Sequence, residues 1–193
     1  MKKLISLIID AETKINIGSK YFEKIEDVYA YSGELSVTLE HKGQVICLSK
    51  KITLFDLEHI VLDNFKKVLH NELQVSSGID DLGLAFNNYW FYVSQNDDSN
   101  FQKTTESFEL FQCSGLQLND TITFLYNGQG DIVFQVSLKY PWFFALEEPS
   151  ISYKEWLSTY KVLYRHEINH SLMQEWIFQL EEFVLQLRLQ ASK

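Results

Sequence analysis

The chain has 193 residues, of which 46% are hydrophobic and 15% aromatic, so it can bury a core and does not have a disordered composition. Its formal net charge is −9, and basic residues never cluster beyond pairs such as Lys2-Lys3 and Lys50-Lys51, which argues against a nucleic-acid-binding protein. No apolar run approaches the length of a membrane span, and the run at 4–9 is too short for a signal peptide, so we expect a cytoplasmic protein of bacterial type.

The first part of the chain predicts strands and one short helix. Residues 4–9 form a short apolar strand, and Ser19 can cap a brief helix with apolar residues between 21 and 28. Apolar and polar residues alternate over 35–40, which is the period of a half-buried strand. A turn then leads into a second strand at 45–48, so the sequence predicts a β-hairpin.

A helix follows this hairpin. Thr53 and Asp56 have the spacing of a capping box, with aspartate in place of the usual glutamate or glutamine. The helix ends near His70, and its apolar residues share one face that we expect to be buried. The residues of this face are Leu54, Leu57, Val61, Phe65 and Val68.

The middle of the chain predicts antiparallel strands. Residues 84–93, which include four consecutive aromatic residues, are predicted as one strand, and 101–113 as a second. The strands at 121–126 and 131–140 flank Asn-Gly-Gln-Gly, which is a strong hairpin signal. Strands joined by such short turns predict an antiparallel meander with one face packed and the other solvated.

A capping box at Ser152 and Glu155 starts a helical segment that runs to about residue 190. Together these elements predict an α+β fold, in which an antiparallel meander sheet has helices packed on one face. We expect a single domain over 1–193. Its three parts are a hairpin and helix, acidic strands, and C-terminal helices, over residues 1–70, 71–140 and 152–190.

Residues 166–170 have the sequence His-Glu-Ile-Asn-His and fit the pattern H-E-x-x-H of zinc-dependent hydrolases. On a continuous helix, His166 and His170 lie one turn apart and can hold one zinc ion, with Glu167 as general base. The sequence offers no third ligand at the spacing of such enzymes, and two differently oriented apolar stripes predict a helix break near 169–171. A zinc-dependent hydrolase is therefore the alternative function, and we expect no metal or other cofactor.

Negative charge is concentrated in one third of the chain. Residues 71–135 contain nine acids and one base, Lys103, whereas the regions on either side are nearly neutral. Because like-signed charge steers an oppositely charged molecule, this segment predicts a surface for a basic protein partner. A solvated face that only maintains solubility is the other interpretation. The candidate partner-binding residues are Asp80, Asp81, Asp97, Asp98, Glu106, Glu109, Tyr89, Trp90 and Tyr92.

The acidic strands at 84–139 precede a closing segment, Ser152-Tyr153-Lys154-Glu155-Trp156-Leu157, that is followed by Arg165 and Trp176. This layout resembles the small, acidic, cytoplasmic immunity proteins of bacterial polymorphic-toxin systems. The resemblance implies a non-enzymatic protein of the antitoxin type that occludes a basic partner, such as a toxin domain, through an acidic sheet face. A scaffolding subunit is a further interpretation of the same composition.

Overall fold

A computed structural model gives the fold, and it describes residues 2–19, 35–93, 108–111, 120–141 and 151–191. It confirms the predicted α+β class built on antiparallel strands, which form two separate sheets. The four-stranded sheet contains β1 to β4, at Lys2–Asp10, Thr13–Ser19, Leu35–His41 and Gln44–Ile52. The three-stranded sheet contains β5 to β7, at Thr121–Asn127, Ile132–Leu138 and Val162–Ile168.

The helices lie between and after these strands. A continuous helical segment consists of α1, a π-helical turn and α2, at Leu54–Asp56, Leu57–Val61 and Leu62–Leu69. The remaining helices are α3, α4 and α5, at Leu82–Val93, Tyr153–Leu157 and His170–Ala191. None of the helices in the described part of the chain has the length and apolar character needed to cross a membrane.

The four-stranded sheet is a meander in which each strand pairs with its neighbour in sequence. The predicted hairpin at 35–48 is confirmed, whereas β2 was not predicted because its apolar residues are few. Ile15 and Ile17 of β2 and Leu39 of β3 are buried on the inner face. On the outer face, Asn16 donates to the Glu40 carboxylate, which also pairs with Lys3. This sheet therefore has the one packed face and one solvated face that an antiparallel meander favours.

The helical segment after β4 matches the sequence prediction. Thr53 and Asp56 form the reciprocal capping box, in which each side chain accepts from the backbone N–H of the other residue. The segment ends at Leu69, with His70 as its C-cap. Its predicted apolar face is buried at four of five positions, with Leu54 only half-buried.

The three-stranded sheet is covered on both faces. Neighbouring residues of a strand point to opposite sides, so each strand contacts both of the covering layers. Phe124 packs edge-on against Phe86 of α3, whereas Phe134 lies beside Trp176 of α5 on the other side. Six of the seven residues in each of β5 and β6 are buried. Among the described residues of the acidic segment, β5 and β6 therefore leave neither sheet face open, so the prediction of one solvated face does not hold for these strands.

Residues 84–93 were predicted as a strand and form helix α3 instead. Asn87 is fully buried and fixes this helix on the three-stranded sheet, since its amide donates to the carbonyls of Gly83 and Leu138. Its carbonyl oxygen accepts from the backbone N–H of Tyr140. The aromatic run has high strand propensity, but these tertiary contacts outweigh that local preference.

The C-terminal segment was predicted as a broken helix, and the break at Asn169 is confirmed. Asn169 caps α5 by accepting from the backbone N–H of Leu172. The region before the break is wrong, because residues 162–168 form β7, which pairs antiparallel with β6. Only Tyr153–Leu157 is helical there, with the predicted capping box of Ser152 and Glu155 in place.

Two further predictions, a helix and a strand, fall largely outside the described residues. The helix expected at 21–28 and most of the strand expected at 101–113 lie there, and Ser19 is the last residue of β2. The described piece, 108–111, lies along the edge of β5, where Glu109 bridges to Phe124. Partners on that edge protect β5 from pairing with other chains.

One hydrophobic cluster joins both sheets with α2, α3 and α5. Trp176 of α5 is central to it, since its ring is fully buried beside Phe65 of α2 and Phe134 of β6. The indole N–H donates to the carbonyl of Ile8, which ties α5 to β1 at 2.9 Å. A second, smaller cluster contains Tyr140, Tyr153 and Trp156, so α4 packs outside the main core.

Gly83 should be essential for seating α3 on the sheet. A methyl group at this position would lie 2.4 Å from the Ser137 hydroxyl and 2.7 Å from the Tyr160 hydroxyl. We expect Gly83→Ala to destabilise the fold by about 1–3 kcal/mol, although the same change in an open helix stabilises by about 1 kcal/mol. Urea unfolding followed by circular dichroism measures the difference, and a stabilised variant would contradict this packing.

Candidate functional site

Asp81 lies at the N-terminus of α3 and is a structural residue rather than a surface anchor. Its Oδ1 accepts from the backbone N–H groups of Gly83 and Leu84, at 3.0 and 3.2 Å. These are the N2 and N3 positions of the helix, so Asp81 is the N-cap. Its carboxylate also accepts from the amide of Gln135 and from the hydroxyl of Tyr160, both within 2.9 Å.

These contacts form a buried polar network between α3, β6 and the segment before β7. Gln135 is fully buried, and its carbonyl oxygen accepts from the Tyr126 hydroxyl at 3.0 Å. Burial raises the pKa of both Tyr126 and Tyr160 above the ordinary value of a phenol. A carboxylate with this many internal donors has little capacity left for an external partner, so Asp81 is removed from the predicted partner-binding set.

The described acids of the segment lie at several different places in the fold. Asp80 is exposed next to Asp81, and Glu109 is half-buried at the edge of β5. Two further exposed acids, Asp120 and Asp131, lie at opposite ends of the hairpin formed by β5 and β6. The structure thus disperses these acids over loops. The predicted residues Asp97, Asp98 and Glu106 lie outside the described residues.

The three aromatic candidates on α3 differ in exposure. Tyr89 is 6% exposed and Trp90 is half-buried, whereas Tyr92 is 58% exposed. Only Tyr92 could therefore anchor a partner directly. It stands at the rim of an aromatic cluster in which Phe91 stacks on Tyr153, with ring centroids 4.0 Å apart.

The H-E-x-x-H residues do not form the helical zinc site that their spacing suggests. His166 and Glu167 lie on β7, and His170 is the first residue of α5. In a strand, neighbouring side chains point to opposite faces, so His166 and Glu167 diverge. In the described part of the chain, no three His, Cys, Asp or Glu side chains converge as a metal-binding group.

His166 instead belongs to a polar cluster where the two sheets meet. Its ring stacks near that of Tyr164, which packs against His41 with centroids 5.0 Å apart. The Nδ1 atom of His41 lies 2.8 Å from the hydroxyl oxygen of Thr13. Asp10 lies close by, and hydrogen bonds from the Glu12 backbone and from Thr13 lower its pKa, with the two histidines contributing.

An exposed group of apolar residues that was not predicted lies on α5. Trp176, Leu180 and Leu187 of this helix are buried, as expected from the apolar stripe in the sequence. The opposite side carries Phe178, Leu185 and Leu189, which are 65%, 50% and 58% exposed. We call these three residues the α5 stripe.

The geometry of the α5 stripe follows from helical periodicity. At 100° per residue, the three side chains lie within about 40° of arc and extend over roughly 16 Å. Leu185 and Leu189 are neighbours one turn apart, whereas the exposed acids Glu181 and Glu182 lie between Phe178 and Leu185. Exposed apolar side chains grouped on one side of a helix can mark an interaction site. In the sequence, the only sign of the stripe is the spacing of its residues by seven and four positions. This spacing does not show which side of the helix is exposed, because α5 carries a second apolar face.

The two flanks of the α5 stripe differ in charge. On one flank, Glu181 pairs with Lys66 and Arg188 pairs with Glu58, so the charges of α5 are neutralised across a cleft by α2 and the π-helical turn. On the other flank lie Glu175 and Glu182. Neither forms an ion pair with another described residue. The stripe therefore has one neutral border and one acidic border.

No family model, curated protein or solved structure matches this chain.

We expect Asp81 and its neighbour Asp80 to differ sharply when each is replaced by alanine. Asp81→Ala removes a helix cap and leaves the Gln135 amide and the Tyr160 hydroxyl without their acceptor, which costs about 2–4 kcal/mol. Asp80→Ala at an exposed position should change stability by about 0.5 kcal/mol or less. Denaturant unfolding measures both variants, and equal losses would contradict the separate roles of the two residues.

The buried phenols should make the fold sensitive to alkali. Burial raises the pKa of Tyr126, Tyr140, Tyr153, Tyr160 and Tyr164. Unfolded tyrosine titrates near pH 10, so the contribution of these groups to stability is complete below about pH 10 and is lost as the pH rises further. Absorbance at 295 nm should show fewer phenols ionising near pH 10 in the folded protein than in urea. Equal titrations in both states would contradict this expectation.

Proposed function

We propose that this protein is a cytoplasmic, non-enzymatic binding protein of the immunity or antitoxin type, which occludes a basic partner protein. The α5 stripe provides the apolar anchor, and unneutralised acids around it and in the loops attract the partner. The observation that carries the proposal is the exposed α5 stripe with an acidic border.

The apolar part of this surface favours a protein partner. A large aromatic and two leucine side chains lie in a row on a rigid helix of 22 residues, whose other side is buried in the core. Binding energy at protein interfaces concentrates in such central apolar anchors. A rigid anchor also loses little conformational entropy when the partner binds.

The distribution of ion pairs favours a basic partner. The carboxylates that pair with lysine or arginine within the described chain are Glu40, Glu58 and Glu181, none of which belongs to the acidic segment 71–135. Glu72, Asp80, Asp120 and Asp131 of that segment are exposed and form no ion pair with another described residue. Their charge is thus available to steer a cationic molecule over a distance of about one Debye length.

The partner approaches α5 beside the C-terminal end of α2. The pairs Lys66–Glu181 and Glu58–Arg188 show that α2 and the π-helical turn run antiparallel to α5. The chain after α2 therefore lies toward the Phe178 end of the α5 stripe. Glu175 also lies at this end of α5, on the flank that faces away from α2, and acidic side chains around an apolar contact can pair with a basic rim on the partner.

A zinc-dependent hydrolase is not proposed, because the residues that would form its helical site lie on a strand and a separate helix. Occlusion of a partner needs no catalytic group. It requires complementary shape and charge, and fast association when the partner is toxic.

The proposal is tested with the protein encoded by the adjacent gene, which is where the partner of an immunity protein is expected. We expect a stoichiometric complex and protection of cells that express that partner. Phe178→Ser combined with Leu185→Ser should weaken the complex by roughly a hundredfold, since each apolar anchor contributes more than about 1 kcal/mol. Isothermal titration calorimetry measures the dissociation constant.

Two matched variants serve as controls. Tyr92→Ser removes an equally exposed aromatic residue from α3, and it should leave the dissociation constant within about threefold of the parent. Glu182→Lys should slow association at low salt, whereas Glu12→Lys, which makes the same change in net charge at an exposed position outside the acidic segment, should slow it much less. If the Tyr92 variant loses binding while the α5 variant retains it, the surface has been assigned to the wrong helix.

A further inference from the structure

The outer edge of β7 is a second, independent feature of the molecule. Among the described residues, β7 pairs only with β6, as the last strand of the three-stranded sheet. The opposite edge of that sheet differs, because 108–111 and Gln74 bridge to β5. Every second residue of β7 directs its backbone N–H and C=O away from β6, so the edge can accept another strand.

The side chains of β7 are arranged symmetrically by charge. The central sequence is Tyr164-Arg165-His166-Glu167-Ile168, with opposite charges one residue on either side of His166. Arg165 and Glu167 share one face of the strand, and both are exposed. Tyr164 and Ile168 are buried on the other face.

From this arrangement we propose that β7 is an interface for a second copy of this chain. The two β7 strands pair antiparallel about a twofold axis at His166, and the two three-stranded sheets join into one sheet of six strands. In this register each Arg165 lies opposite Glu167 of the second copy, so two cross-strand ion pairs form. Directly opposed charges of opposite sign stabilise antiparallel strands, and like charges destabilise them.

Other registers within β7 lack this complementarity. A twofold axis perpendicular to a sheet leaves every side chain on its own face, and directly opposed residues of antiparallel strands share a face. The axis must therefore lie where a residue is opposite its own copy, and not midway between two residues. An axis at Arg165 places the two arginines opposite each other, and an axis at Glu167 does the same for the glutamates. The register at His166 is the one that places unlike charges together.

The rest of the chain leaves Arg165 and Glu167 available for these pairs. The Arg165 guanidinium donates only a 3.5 Å contact to the backbone carbonyl of Asp80, and Glu167 forms no ion pair with another described residue. A second copy also fits better than a basic partner, because the edge itself carries one charge of each sign. Self-association through β7 is independent of the proposed function, since it requires the purified chain alone.

Charge-swap variants test the proposed register. Sedimentation equilibrium of the purified full chain should show a monomer–dimer equilibrium for the parent. Arg165→Glu and Glu167→Arg should each raise the dimer dissociation constant by roughly tenfold, because either change converts two attractions into two repulsions. The double variant with both changes should return to within about threefold of the parent. A parent that stays monomeric, or a double variant no better than the single ones, would overturn the proposal.

A cysteine at the twofold axis provides a second test that does not depend on the charge variants. In a background with Cys47→Ser and Cys113→Ser, His166→Cys places two identical thiols opposite each other, at a Cα separation of about 4.5–5.5 Å that a disulfide tolerates. Oxidation with diamide should link the chains into a covalent dimer. The control Val45→Cys, at an exposed position of β4, should remain monomeric. Equal cross-linking of both variants, or none at residue 166, would also overturn the proposal.

Discussion

The fold depends on the packing of α3 against the three-stranded sheet, and the hydrogen bonds of Asp81 allow this packing. Its carboxylate caps the helix and at the same time accepts from Gln135 and Tyr160, which come from distant parts of the sequence. A buried glutamine in a central strand would otherwise cost the free energy of unsatisfied polar groups. The missing side chain at Gly83 lets the helix approach closely enough for these bonds to form.

This constraint determines where the protein can interact with other molecules. Since helices cover both faces of the three-stranded sheet, the described acids of the middle segment lie in loops, at a helix N-terminus and at the edges and ends of the sheet. The α5 stripe lies on the outer side of a helix whose inner side is buried in the core through Trp176. Charge and apolar anchors therefore lie on different parts of the chain, and they act together only through their positions in the fold.

Local signals in the sequence predicted much of the secondary structure. The capping boxes at Thr53 and Ser152 and the Asn-Gly turn after β5 involve residues close in sequence, so their geometry was readable. The helix α3 could not be predicted in this way, because its aromatic run favours a strand. The contacts of Asn87 that stabilise the helix instead come from residues about fifty positions later in the sequence.

The candidate site was harder to predict for a similar reason. Asp80 and Asp81 are identical neighbours in sequence, and only the fold turns one carboxylate inward and leaves the other in water. Likewise, α5 has two apolar faces in its sequence, and periodicity alone does not tell which face the core covers. The packing of Trp176 and Leu180 into the core determines which face is exposed.

Hydroxyl-radical footprinting of the complex with the product of the adjacent gene reports the exposure of individual side chains and so shows which helix the partner covers. Phe178, Leu185 and Leu189 should lose reactivity on binding, whereas Tyr92 should keep the reactivity that it has in the free protein. Protection of Tyr92 with unchanged reactivity along α5 would contradict a binding surface on α5.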